Sequence, residues 1–245
     1  MLDVRNLTKR FGGLVAIKDL SLTVKPKQFL GVIGPNGAGK TTLLNLITGY
    51  MRPSSGSISF EGATLVGRKP FEICRMGIAR TFQVVQPLAE MTVLENAMTG
   101  AFYSGPEHVS IAAARDRAYE ALALVGLTDQ ATLMAGALTL GNKKKLELAR
   151  ALATRPRLLL LDEVMAGSPQ RDVIELMHVL RSIHASGTTI LMIEHLVPVI
   201  LSLAEHVFVL NFGQELYQGR PEDVIAHPEV IESYLGKPLM ETAVG

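Results

Sequence analysis

The sequence has no tryptophan and one cysteine, Cys74, among 245 residues. A single thiol cannot form an internal disulfide, and without CxxC or Cys/His spacing no zinc site is expected. That usage fits a reducing compartment. Long apolar runs are missing too: each falls short of the roughly 18–20 residues that span a bilayer. Any association with a membrane is therefore expected to run through a partner. The opening MLDVRNLTKRFGG lacks an apolar core, so no secretory signal is expected. Neither sign of charge is in excess, with 24 Lys and Arg against 23 Asp and Glu. The net charge of +1 gives no electrostatic footprint for nucleic acid. Internal repeats and low-complexity segments are absent. What is present is a folded chain, 48% hydrophobic and 19% charged, long enough for one large domain or two small ones.

Near the start, LDVRNLTKRF and LSLTVKPKQFLGVIG alternate in the manner of strands, with a turn at Lys25-Pro26-Lys27. Phe29 to Ile33 reads as a buried strand. TTLLNLITGY then has helical spacing that ends at Gly49, and GSISFEGATL reads as a strand pair or hairpin arm. From about Pro87 the pattern turns helical, over Thr92–Ala101, Ile111–Val125 and Gly141–Ala153. Strands are expected again at Arg157–Leu161 and Thr188–Glu194, separated by a helix over Asp172–His184. Late strands are expected at His206–Asn211 and Glu215–Gln218. The layout is a β-rich start, a parallel α/β body and a helical insert.

Gly34-Pro35-Asn36-Gly37-Ala38-Gly39-Lys40-Thr41-Thr42 follows the apolar FLGVI and precedes a helix. It matches G-x-x-x-x-G-K-[ST] without a gap. Glycines let successive N–H groups face phosphate oxygens, and the following helix adds its positive end. Lys40 is placed to reach the β- and γ-phosphates of a nucleoside triphosphate, and the Thr41 hydroxyl to ligate Mg²⁺. About 120 residues on, a strand of four leucines ends in Asp162-Glu163. A carboxylate at the end of a buried parallel strand lies where open α/β sheets bind ligands. Asp162 is read as a Mg²⁺ ligand and Glu163 as the general base for an attacking water. A second acid beside the metal ligand favours hydrolysis over transfer to a metabolite. His195 ends the next expected strand and could contact the γ-phosphate. Gln83, in ARTFQVVQP, reads equally well as a ligand to Mg²⁺ or water and as polar surface.

With these pieces in order, the chain resembles the ATP-binding subunits of ABC transporters over nearly its full length. GPNGAGKTT, Gln83, LLLLDE and His195 match that family's Walker A, Q-loop, Walker B and switch histidine. The resemblance implies an α/β P-loop NTPase of the ABC ATPase type, with a RecA-like core, an N-terminal antiparallel β region and a helical subdomain insert. The core would be about 1–86 and 154–235, the helical subdomain about 87–153 and the C-terminal tail about 236–245. Phe11 matches the aromatic that stacks on adenine, although from chemistry alone it could equally be core. The signature, usually LSGGQ, reads Leu138-Thr139-Leu140-Gly141-Asn142 here. Thr139 and Gly141 keep the hydroxyl and the close backbone approach; Leu140 and Asn142 depart from the consensus. Val164 stands where a proline usually follows the catalytic glutamate, and Ser168-Pro169 replaces the usual D-loop pair. Lys143–Lys145 reads as a solvated helix face.

EVMAG, the insert length and VIESYLG resemble the branched-chain, or hydrophobic, amino acid uptake group. The resemblance implies ATP and Mg²⁺ as cofactors, with Gln83, Glu163 and His195 at the reacting phosphate. It implies transmembrane permease subunits as partners, a second ATP-binding subunit (itself or a paralogue) and, indirectly, a substrate-binding protein, at the cytoplasmic face of the membrane. Two other readings stay open: a soluble ABC ATPase not coupled to transport, and a weakly catalytic regulatory partner of a paralogue.

Overall fold

The computed structural model describes residues 1–83, 85–104 and 109–235, so the expected tail at 236–245 lies outside the described residues. The chain divides into two compact units, one of Met1–Arg68 with the segment from Leu191 onward, the other of Lys69–Ile190.

The first unit opens with β1 (Leu2–Phe11) and β2 (Leu14–Val24), an antiparallel hairpin. β3 (Phe29–Ile33) is buried at every position, as a continuous apolar run covered on both faces should be. It leads into α1 (Lys40–Ile47), and β4 (Ser55–Phe60) and β5 (Ala63–Thr64) complete an antiparallel sheet in the order β2-β1-β4-β5.

The second unit begins with α2 (Pro70–Arg75) and β6 (Ile78–Arg80). Three helices follow: α3 (Val93–Phe102), α4 (Ile111–Val125) and α5 (Leu140–Leu152), each packed on the other two. Their starts are set by side-chain caps. Thr92 and Glu95 form a reciprocal capping box at α3, and Ser110 and Thr139 accept from the first turns of α4 and α5. Buried Ala114, Ala118 and Ala121 line one face of α4, where small side chains permit close helix approach. β7 (Leu158–Asp162) runs parallel to β6, and α6 (Gln170–Ala185) follows. The strand expected at 157–161 is displaced by one residue: Arg157 forms a bend before it, with its backbone N–H donating to the Gly77 carbonyl at 2.8 Å. Asp162 is thus the last residue of the strand.

β8 (Thr189–Ile193) carries the chain back to the first unit. There α7 (Val197–Leu203) packs on β3, β9 (His206–Asn211) pairs parallel with β3, and β10 (Gln214–Gly219) pairs antiparallel with β9.

Candidate functional site

In the first unit the phosphate loop joins the end of β3 to the start of α1. Lys40 is the first helical residue and is buried; its ammonium donates to the Gly34 carbonyl at 2.7 Å and to that of Pro35 at 3.0 Å. Gly39 caps the helix at φ 105°, and a Cβ there would stand 2.6 Å from the Ala16 carbonyl oxygen. Only glycine meets both demands. No side chain caps α1 at Gly39, so no capping oxygen competes with an anion for the helix start. Thr41 is exposed and Thr42 half-buried in that turn. Gly213 ties the loop down from the β9–β10 turn, its N–H donating to the Ala38 carbonyl at 2.9 Å.

Phe11 ends β1, on the hairpin whose second strand presses Ala16 against Gly39. It is 43% exposed, with the Lys9 ammonium 4.9 Å from its ring centre, so the core reading of this residue does not hold. His195, also in the first unit, follows β8 and is exposed, and its backbone N–H donates to the buried Glu194 carboxylate at 3.3 Å.

The second unit holds the acidic pair. Leu158–Leu161 are fully buried and Asp162 is 3% exposed. The parallel register sets Arg80 beside Leu160, and the Arg80 guanidinium donates to Asp162 Oδ2 at 2.7 Å. Glu163, 8% exposed, adopts φ 50°, a conformation uncommon outside glycine and concentrated at functional sites. Gln83 donates from Nε2 to Glu163 Oε2 at 2.7 Å, so Gln83, Asp162 and Glu163 are brought together. Behind them the Phe82 N–H donates to Glu147 Oε1 at 2.5 Å, and burial pushes the Glu147 carboxyl above the ordinary range despite that bond and the nearby Arg150 charge.

The donor types suit Mg²⁺. Asp162 offers a carboxylate, Gln83 an amide oxygen and Thr41 a hydroxyl, all hard oxygens. Among the described residues no group of three or more His, Cys, Asp or Glu could hold a metal by itself. One carboxylate with phosphate oxygens and water is how Mg²⁺ is commonly held, whereas Zn²⁺ takes a closed protein cage.

The signature segment caps α5: Thr139 Oγ1 accepts from the Asn142 N–H at 3.3 Å. Asn142, which departs from the consensus, donates from Nδ2 to Gln130 at 3.0 Å. A Cβ at Gly141 would stand 2.6 Å from Asp172 Oδ2 on α6, so a larger residue there would have to push that carboxylate aside. Thr139 and Gly141 line a small cavity with Asn142, Lys144, Ser168 and Asp172.

Lys144 corrects the reading of Lys143–Lys145 as a solvated face. It is 8% exposed and donates to the Ala166 carbonyl at 2.5 Å and to Ser168 Oγ at 2.7 Å. It thus ties the signature helix to the loop after the acidic pair. The signal was available, since Lys144 shares a helix face with buried Leu148 and Ala151 at i+4 and i+7. Lys145 in turn pairs with Glu175 at 2.8 Å. Lys144→Met keeps the stem and removes the donor. Hydrogen bonds from a charged group contribute about 1.5–3 kcal/mol, so a fall in Tm of about 3–12 °C is expected by thermal unfolding. An unchanged Tm would return Lys144 to the solvated face.

With this geometry in place, comparison places the chain among known proteins. A family model described as "ABC transporter" matches residues 17–166. The chain is 40% identical to the high-affinity branched-chain amino acid transport ATP-binding protein BraF of Pseudomonas aeruginosa, over 97% of this chain and 98% of that one. It is 38% identical to LivG of Escherichia coli, which bears the same description, with the same coverage. Among solved structures, the ADP conformation of MJ1267, an ATP-binding cassette of an ABC transporter, superposes with a TM-score of 0.86 at 34% identity, covering 97% of this chain and 99% of the other. Family match, relatives and fold agree with the motifs read along the chain: it belongs to the ABC transporter family, as an ATP-binding cassette.

Proposed function

We propose that this cassette is the ATP-hydrolysing subunit of a membrane importer for branched-chain or other hydrophobic amino acids. The observation that carries the reading is the acidic pair at the end of β7, with Glu163 buried in a strained backbone and held by Gln83. Near-complete alignment with cassettes named for branched-chain amino acid transport supports the substrate class.

In this reading Phe11 stacks on adenine, and residues 34–42 wrap the phosphates with Lys40 at the β- and γ-positions. Thr41, Gln83 and Asp162 would hold Mg²⁺, which when bound neutralises phosphate charge. Glu163 takes the proton of the attacking water, and His195 contacts the γ-phosphate. Thr139 and Gly141 serve the nucleotide of a second cassette, a copy or a paralogue facing head to tail. ATP then closes the pair and hydrolysis opens it. The helical stretch 87–153 carries the motion to permease subunits, with a substrate-binding protein upstream and the cassette peripheral at the cytoplasmic face. Among the described residues no helix is long and apolar enough to cross a membrane, so anchorage by permeases agrees with the chain's own make-up.

The test is reconstitution with the cognate permeases and binding protein in proteoliposomes. ATP-driven uptake of labelled leucine, isoleucine or valine is expected, and omission of this chain should abolish it. ATP hydrolysis with no uptake of any hydrophobic amino acid would overturn the assignment.

A further inference from the structure

Arg80 stands outside the motifs above, yet it makes the closest ionic contact of the acidic pair. Its guanidinium lies 2.7 Å from Asp162 Oδ2, and both side chains are almost wholly buried, at 6% and 4% exposure. A carboxylate at such depth needs a cation or hydrogen-bond donors, because burial of an uncompensated charge costs several kcal/mol or more. Two features hold the guanidinium in place. The parallel pairing of β6 with β7 fixes the backbone distance, reinforced by the Thr81 N–H donating to the Leu160 carbonyl at 3.0 Å. On the other side the Phe82 ring covers the guanidinium, its centre 5.1 Å from Cζ. Three residues on, Gln83 engages Glu163. One short segment, residues 80–83, therefore engages both acids.

We propose that Arg80 is the resident counter-cation of Asp162, that it competes with the divalent metal for this carboxylate, and that it thereby sets how strongly metal and nucleotide binding reinforce each other. The inference rests on the reading of Asp162 as a metal ligand. Its physical basis is charge. One buried carboxylate cannot compensate a guanidinium and a divalent cation equally, and two cations sharing it repel one another more strongly than they would in water. The metal must displace the guanidinium or share the carboxylate with it, through Oδ1 or Oδ2, and either weakens metal binding. Arg80 is a positioning residue here: it acts on Asp162 and touches no reacting atom.

A merely structural Arg80, one that only holds the Asp162 rotamer for the metal, makes the opposite prediction. Its loss would then loosen the metal. The sign of the effect separates the two.

The experiment titrates the full chain with a fluorescent ATP analogue, once with Mg²⁺ and once with EDTA. The ratio of the two dissociation constants measures the coupling between metal and nucleotide. Arg80→Gln is expected to raise that ratio about tenfold, within the usual span of coupling energies, with the change confined to the Mg²⁺ arm. Asp162→Asn should collapse the ratio in the wild-type and Arg80→Gln backgrounds alike. An unchanged or reduced ratio in Arg80→Gln, with the Asp162→Asn collapse intact, overturns the role of Arg80 and leaves the metal ligand standing. A ratio insensitive to Asp162→Asn overturns both. Should Arg80→Gln fail to fold because the carboxylate is left bare, Arg80→Lys decides. It keeps the charge but loses the planar fork, so a rise of about threefold is expected, and no rise counts against the proposal.

Discussion

Glu163→Gln is expected to lower ATP turnover by about 10²–10⁴-fold, the usual contribution of a positioned general base, while ATP binding survives. The substitution is close to isosteric and changes little else. Glu163 is buried at φ 50°, and a glutamine has the same backbone demands and volume. Gln83 Nε2, which donates to the carboxylate at 2.7 Å, can still donate, though more weakly, to an amide oxygen. What disappears is the proton acceptor. If hydrolysis opens the paired cassettes, a variant that binds but cannot hydrolyse should also accumulate as an ATP-bound dimer, visible by size-exclusion chromatography with light scattering. Steady-state phosphate release measures the first effect. Equal turnover in the variant and the wild type would remove Glu163 from the base role.

The chemistry of this chain was legible where it is local. GPNGAGKTT announces itself because a loop, a preceding strand and a following helix occupy consecutive residues, and the structure has β3 and α1 where the pattern puts them. The leucine run into Asp162-Glu163 was equally plain, and α3, α4 and α5 begin within about one residue of their expected starts because Thr92, Ser110 and Thr139 are cap residues. β6 carries no such signal, since three residues, Ile78–Arg80, are too few to carry a period. With β6 hidden, nothing in the sequence could pair Arg80 with Asp162, 82 positions away. Lys144 failed for another reason. A run of three lysines reads as solvated and masks the helical spacing of Lys144 to Leu148 and Ala151, while the Ala166 carbonyl and Ser168 hydroxyl that satisfy it come from a later loop. The positive φ of Glu163 was invisible because sequence marks that conformation only through glycine or asparagine.

Lys40→Ala should act on binding itself. The ammonium is the only cation the loop sequence supplies, and it is held beneath the turn by the Gly34 and Pro35 carbonyls at 2.7 and 3.0 Å. In that position it is preorganised for phosphate, since little side-chain entropy remains to be lost on binding. Truncating one partner of a desolvated charge pair costs about 2–5 kcal/mol, so ATP affinity should fall at least about 30-fold at 1.4 kcal/mol per factor of ten. Isothermal titration with Mg²⁺ and ATP measures this, and an affinity within about twofold of wild type would remove Lys40 from the phosphate site. A binding loss carried by collapse of the loop is distinguishable, because α1 and β3 are built from buried Leu43, Leu44, Ile47 and the whole of Phe29–Ile33, which the substitution does not touch. The nucleotide-free variant should therefore keep its cooperative unfolding. Set beside Glu163→Gln, the two variants divide the site by function: one loses the ligand and with it every later step, the other keeps the ligand and loses only the step that consumes it.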